Sequence, residues 1–234
     1  GTPILPIYST FLQRAYDQII NDLCINNSNA LILVYRASIY GNKDMTHLGF
    51  NDITMLSNMP NLMYLAPTTV EELESSIRYG VEHHNHPIAI RIPVGSPIYE
   101  TSQSNTTECP VTSCNITQSG NTIAIIGVGN FYHKAVELSH AIHDAIHILP
   151  TLVKPLCISS LDTDTLNELT KNHNIVITLE DGELEGGYGQ KIASYYGKTS
   201  MNVLNYGISK QFYDRYNPED VLQQNHLDFE HILD

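Results

Sequence analysis

The chain has 234 residues, 42% of them hydrophobic, and a formal net charge of −13. This apolar content supports one large or two ordinary cored domains and excludes wholesale disorder. The acidity argues against a nucleic-acid partner, which needs a basic face, and no apolar run approaches the roughly 18–20 residues that span a bilayer. A small anionic substrate is still compatible, since it needs only a local cationic pocket.

In chain order, residues 1 to 8 read as a strand, although Pro3 and Pro6 each remove a ladder donor. Ser9 or Thr10 can cap a helix over Phe11 to Leu23, with Leu12, Ala15, Tyr16, Ile19, Ile20 and Leu23 on its apolar face. Ala30 to Tyr35 is an apolar run typical of a strand buried on both faces. A short helix over Asn51 to Leu56 and a strand over Leu62 to Ala66 follow. Thr69 and Glu72 form a capping-box pattern that starts a helix running to about Gly80, and Ile88 to Ile92 is a further buried strand. The β-α-β-α-β alternation predicts a parallel sheet with crossover helices. It offers only about three buried strands, against roughly 5–6 in a typical sheet. Neighbouring strands are therefore expected from elsewhere.

Residues 95 to 121 are rich in Ser, Thr, Asn, Gln and Gly and lose apolar periodicity, so they read as a linker with an irregular strand around Val111 to Ile116 as an option. A second α/β unit begins at Thr122. Its expected elements are a strand over Ile123 to Val128, a helix over Phe131 to Ala145 and a strand over Ile146 to Leu149. A helix over Leu161 to Asn174, a strand over Ile175 to Leu179, a helix over Gly189 to Tyr196 and a strand over Met201 to Tyr206 follow. Pro218 to Gln224 and Leu227 to Leu233 close the chain as helices. The expected organisation is a first unit over 1–97, a linker over 98–121 and a second unit over 122–234. Each is a mostly parallel sheet, with one antiparallel edge strand an option in the second.

Tyr8, Phe11 and Arg14 fall where the first strand runs into its helix, the edge at which α/β sheets hold ligands. A flat ring stacking on Phe11 and an anion near Arg14 make physical sense there, beside the plainer reading of a core ring and a surface charge. His83, His84 and His86, and His140, His143 and His147, lack convergent Cys or carboxylates and read as solvated faces rather than metal sites. Cys24, Cys109, Cys114 and Cys157 show no zinc spacing. Cys109 and Cys114 could pair in an oxidising compartment, but the rest of the pattern favours a reduced, cytoplasmic protein. Gly127-Val128-Gly129 lacks the third glycine of a dinucleotide loop, and Gly186-Gly187-Tyr188-Gly189 is expected to permit a tight turn into a helix.

The run Tyr8-Ser9-Thr10-Phe11-Leu12-Gln13-Arg14-Ala15-Tyr16-Asp17, followed by Arg36-Ala37, Gly41 and Thr46-His47-Leu48-Gly49, resembles the pyrimidine-binding domain of the 1-deoxy-D-xylulose-5-phosphate synthase family. These are thiamine-diphosphate-dependent enzymes of the transketolase superfamily. The similarity continues through Met59-Pro60-Asn61, Arg91-Ile92-Pro93, Val153-Lys154-Pro155-Leu156, Glu180-Asp181, Gly186 to Gly189 and Leu204 to Gly207, covering nearly the whole chain. The family enzyme is much longer, and the chain looks like its C-terminal portion. The chain opens on Gly1 rather than Met, so an earlier segment is expected to be missing.

By this resemblance Phe11 stacks on the cofactor pyrimidine with Arg14 beside it, Tyr8 and Arg36 contact substrate phosphate, and His47 is the active-site histidine. The implied reaction is decarboxylating condensation of pyruvate with glyceraldehyde 3-phosphate, using thiamine diphosphate and Mg. The polarising glutamate and the Gly-Asp-Gly metal segment are absent, and Glu180-Asp181-Gly182 reads as a turn approaching a helix. The metal site is therefore expected outside this chain, and the isolated chain is expected to be inactive. The resemblance implies a homodimer completed by a missing N-terminal region or a separate subunit, with the second unit serving mainly in assembly. The C-terminal half of a split transketolase and a non-catalytic assembly or anion-binding module are the alternatives. Departures are Lys43 for an Asp, Val94 for an Arg that grips the acceptor phosphate, and Leu48 for a polar residue.

Overall fold

The computed structural model describes residues 1–40, 44–82, 85–95, 111–228 and 231–232. Lys43, His83, His84 and Cys109 and most of the linker lie outside them, as do Phe229, Glu230 and Leu233 of the closing helix expected over Leu227 to Leu233.

The first unit is a four-stranded, wholly parallel sheet: β1 (Ile4–Tyr8), β2 (Leu31–Tyr35), β3 (Met63–Leu65) and β4 (Ile88–Arg91), in the order β1-β2-β4-β3. β2 and β4 are buried on both faces, as their unbroken apolar runs require. β1 is an edge strand, where Pro6 is tolerated because no partner needs its missing N–H. That edge leaves Ile4 49% and Leu5 48% exposed. The expected helix over Phe11 to Leu23 is not a regular one. Ser9–Ala15 is a 3₁₀ turn, α1 is Tyr16–Gln18, and Ile19–Cys24 is a π turn. Neither Ser9 nor Thr10 caps it, because Tyr8 holds the N-cap position without a side-chain bond and the Thr10 hydroxyl instead donates to Thr46 O at 2.8 Å.

α2 (Asp52–Leu56) and α3 (Val70–Glu82) complete the unit. The capping box at α3 is shifted by one residue. Thr69 Oγ1 accepts from Glu72 N at 3.2 Å, but the Glu72 carboxylate reaches back to Thr68 N and Thr68 Oγ1, each at 2.8 Å.

The second unit contains β5 (Cys114–Gln118), β6 (Thr122–Gly127), β7 (Thr151–Pro155), β8 (His173–Glu183) and β9 (Asn202–Ile208), ordered β5-β7-β6-β8-β9. All pairs are parallel except antiparallel β5–β7. β5 arises inside the expected linker, held by Asp162 Oδ2, which accepts from Cys114 N at 2.8 Å. The helices are α4 (Tyr132–Ile146), α5 (Thr163–Leu169), α6 (Tyr188–Tyr196) and α7 (Pro218–Gln224).

The strand expected over Ile146 to Leu149 is displaced to Thr151–Pro155. α4 runs to Ile146, and His147 then closes it in the left-handed conformation, φ +59°. Ile146 and Leu149 are exposed, whereas β7 is buried throughout.

The two units share an apolar core cluster, which includes Ile53 and Leu56 of α2 together with Tyr188 and Ile192 of α6. The end of β3 is stitched to the segment after β7 by Ala66 N to Leu156 O and Ile158 N to Tyr64 O, both 2.8 Å.

Candidate functional site

The C-terminal ends of β1 and β2 lie side by side, with Tyr8 paired in register to Tyr35. The chain leaves β1 into the 3₁₀ turn and leaves β2 into the loop carrying Arg36 and His47. Arg36 has φ +52°, a strained setting for a non-glycine residue. A bridge between Ser38 and Gly49, with Ser38 N donating to Gly49 O at 2.9 Å, closes the loop into a hairpin. Only glycine fits at position 49, because a Cβ there would collide with the Arg36 carbonyl.

These two exits bring all five sequence-predicted residues together. Tyr8 stacks on Phe11 (centroids 6.0 Å apart, 21° between planes), and His47 meets Phe11 edge-on at 5.6 Å. The Arg36 guanidinium sits 4.7 Å from the Tyr8 ring centre and that of Arg14 5.9 Å from Phe11. Phe11 remains 38% exposed, which rules out the plainer core reading.

Four further residues complete the cluster. Tyr8, Arg36 and His47 line a small cleft with Thr10 and Tyr40. The His47 ring is oriented through Nδ1, which lies 2.8 Å from Thr46 Oγ1 and 3.2 Å from Asp44 Oδ1. Bonds from the Thr46 hydroxyl and N–H, then from His47, pull the exposed Asp44 carboxyl down to about 2. Burial pushes the Tyr40 hydroxyl up, with Arg36 and Arg91 nearby opposing the shift. Thr10 stands inside the recognised run, but nothing in the spacing marked Tyr40.

Below the cleft is a buried polar network that the sequence did not reveal. Arg91, at the end of β4, donates from Nε to Asp52 Oδ2 at 2.8 Å and from Nη1 to Asp181 Oδ1 at 2.5 Å. Tyr64 OH also donates to Asp52, and Asn130 Nδ2 donates to Asp181 Oδ2 at 3.1 Å. Burial opposes the charge on Arg91, but Asp181 and Asp52 more than offset it and raise the guanidinium pKa. Glu180 and Asp181 are not in a turn. They lie inside β8, fully buried. The Glu180 oxygens accept from Tyr188 N at 2.9 Å and Gly189 N at 2.8 Å, so this carboxylate caps α6. Burial nevertheless pushes its pKa up to about 7.

The second unit also grips the His47 loop directly. Glu183 N donates to Phe50 O at 3.0 Å, and the Phe50 ring is clasped by Tyr213 and Tyr216 at 5.5 and 5.8 Å. The role expected for this unit, mainly assembly, does not include that brace.

A parallel-sheet unit with an aromatic, cationic and imidazole cluster at its ligand edge, braced by a second α/β unit, defines a transketolase-type arrangement. Residues 2–96 match the model of the transketolase pyrimidine binding domain, and residues 112–232 match that of the transketolase C-terminal domain. The chain belongs to the transketolase family.

Among its relatives, the 1-deoxy-D-xylulose-5-phosphate synthase of Clostridium tetani is 32% identical over 238 residues, covering 99% of this chain and 37% of that protein. The synthase of Clostridium acetobutylicum is 35% identical over 237 residues, covering 98% of this chain and 37% of that protein. The chain thus spans little more than a third of the length of these curated relatives. A solved structure described as a split gene transketolase, inactive beta4 tetramer, superposes with a TM-score of 0.85 at 20% identity, over 100% of this chain and 74% of that one.

No helix among the described residues is long and apolar enough to cross a membrane. Among the described residues no three His, Cys, Asp or Glu side chains gather as a metal site.

Proposed function

We propose that the chain is the C-terminal portion of a thiamine-diphosphate-dependent 1-deoxy-D-xylulose-5-phosphate synthase. In the complete protein it would take part in condensing pyruvate with glyceraldehyde 3-phosphate, releasing carbon dioxide. The observation that carries this reading is the convergence of Tyr8, Phe11, Arg14, Arg36 and His47 at one sheet edge.

The exposed Phe11 ring, backed by Tyr8, fits a planar heterocycle such as the cofactor's pyrimidine. When bound, thiamine diphosphate supplies the electron sink for decarboxylation and carbon–carbon bond formation. Arg14 stands beside the ring. Arg36 and Tyr8 would hold the acceptor's phosphate, with Arg36 kept in place by the Tyr8 ring. His47, oriented through Nδ1 by Thr46 and Asp44, would exchange a proton with the substrate oxygen at Nε2. Magnesium and the diphosphate would be held by the part of the protein outside this chain.

Val94 stands where the family has a phosphate-gripping Arg. Losing one charged hydrogen bond costs about 1.5–3 kcal/mol, so we expect a weakened or altered acceptor preference.

We read the assembly as a homodimer in the cytoplasm, completed by the remaining N-terminal region. A second reading, a split enzyme whose missing part is a separate subunit, is favoured by the likeness to a split gene transketolase. The exposed Ile4 and Leu5 on the β1 edge suit either completion.

The test is a chimera in which this chain replaces the matching portion of the Clostridium acetobutylicum synthase. Carbon dioxide release from pyruvate should appear and fall at least 100-fold in the His47→Ala and Phe11→Ala chimeras. A folded chimera whose turnover is indifferent to both substitutions would rule out the proposed roles.

A further inference from the structure

We infer that Arg91 is a positioning residue for the His47 loop: it locks that loop to the second unit by joining Asp52, which follows the loop, to Asp181 in β8. The idea deepens the reading above.

In the second sheet β7 lies on one side of β6 and β8 on the other, so strand order reverses at β6. The crevice beyond the C-terminal ends of β6 and β8 is where open α/β sheets commonly bind ligands. Here a side chain of the first unit fills it. Arg91 reaches Asp181 of β8, and a Cβ added to Gly129, just after β6, would stand 3.5 Å from Arg91 Nη1. Asn130 completes the crevice. Its Nδ2 donates to Asp181, and its Oδ1 accepts from Val94 N at 2.9 Å.

The other branch of the guanidinium holds Asp52, the first residue of α2, two positions after Phe50. Phe50 is itself fixed from the second unit by Glu183 N and by the Tyr213 and Tyr216 rings. The outgoing end of the loop is therefore tied to the second unit at two points, its hairpin is closed by the Ser38–Gly49 bridge, and His47 lies between them in sequence. Tyr40, on the cleft wall, lies within the electrostatic reach of both Arg91 and Asp181.

The test is site-resolved amide exchange on the full chain and its Asp181→Asn variant, with NMR of the His47 ring. The variant changes no residue of the first unit. The expected result is that the Ser38 and His47 amides exchange roughly 10- to 100-fold faster, and the His47 ring signals shift, while the Ile88 and Ile92 amides of the first sheet keep their rates. If Asp181→Asn does not fold, Asp52→Asn, which weakens the other branch of the guanidinium's tie, should loosen the same loop amides. Uniform acceleration across the first sheet would make Arg91 an ordinary structural tie and overturn the inference, as would an unchanged loop. The readout needs no catalysis, so a loosened loop beside an inert chimera would discard only the functional reading.

Discussion

Replacing Arg91 by Met should be among the most damaging single substitutions in the chain. The Arg91 side chain is 2% exposed and those of Asp52 and Asp181 are at 0%, so removing the cation strands two carboxylates without solvent. Breaking a buried ion pair from one side costs about 3–5 kcal/mol. Asp52 keeps its bond from Tyr64 and Asp181 keeps that from Asn130, which places the loss toward the lower end of that range. For a chain of this size about 3 kcal/mol lowers Tm by roughly 6–12 °C. Because the cost comes from stranded charge rather than lost volume, Arg91→Met combined with Asp52→Asn and Asp181→Asn should recover most of it. Urea unfolding followed by circular dichroism reads both effects. A single-variant loss below about 1 kcal/mol, or a triple variant no better than the single, would refute the electrostatic reasoning.

Other substitutions test the remaining joints. Glu180 has its pKa raised from 4.5 to about 7, so its contribution is fully present below about 4.5 and is lost as pH rises through about 7. The stability difference between wild type and Glu180→Gln should therefore fall by up to about 3 kcal/mol across that window, and a difference that is flat or rises with pH contradicts the assignment. Glu72→Ala removes both the α3 cap and the counter-charge 2.5 Å from the buried Lys154 ammonium, and should cost about 3–5 kcal/mol in chemical denaturation. Phe50→Leu should cost about 1–3 kcal/mol by emptying the Tyr213–Tyr216 clasp, with faster exchange at Ser38 and His47 as its local signature.

The sequence made some of this legible and concealed the rest for physical reasons. Continuous apolar runs such as Leu31–Tyr35 and Ile88–Arg91 declare strands buried on both faces, and parallel pairing follows from the helices between them. Tyr8, Phe11 and Arg14 fall within seven residues of one another, so a local pattern could mark them as one edge. Arg91 is 39 residues from Asp52 and 90 from Asp181, so folding of the first unit is needed to bring in Asp52 and docking of the second sheet to bring in Asp181. The run Ile146 to Leu149 imitates a strand in composition, yet the left-handed His147 and Pro150 keep it out of the ladder. The 3.6-residue periodicity of Leu12 to Leu23 predicted one regular helix. The stretch is instead resolved into tight and wide turns, with Phe11 in the first of them beside Tyr8 and His47.

The central claim is that this chain carries the ring-stacking and histidine side of a thiamine site but not the side that anchors the diphosphate. Calorimetric titration of the purified 234-residue chain with thiamine diphosphate and magnesium addresses it most directly. The expected result is no saturable binding in the micromolar range and no pyruvate decarboxylation above background. Micromolar affinity, or turnover by the chain alone, would contradict it and show a site complete within these residues.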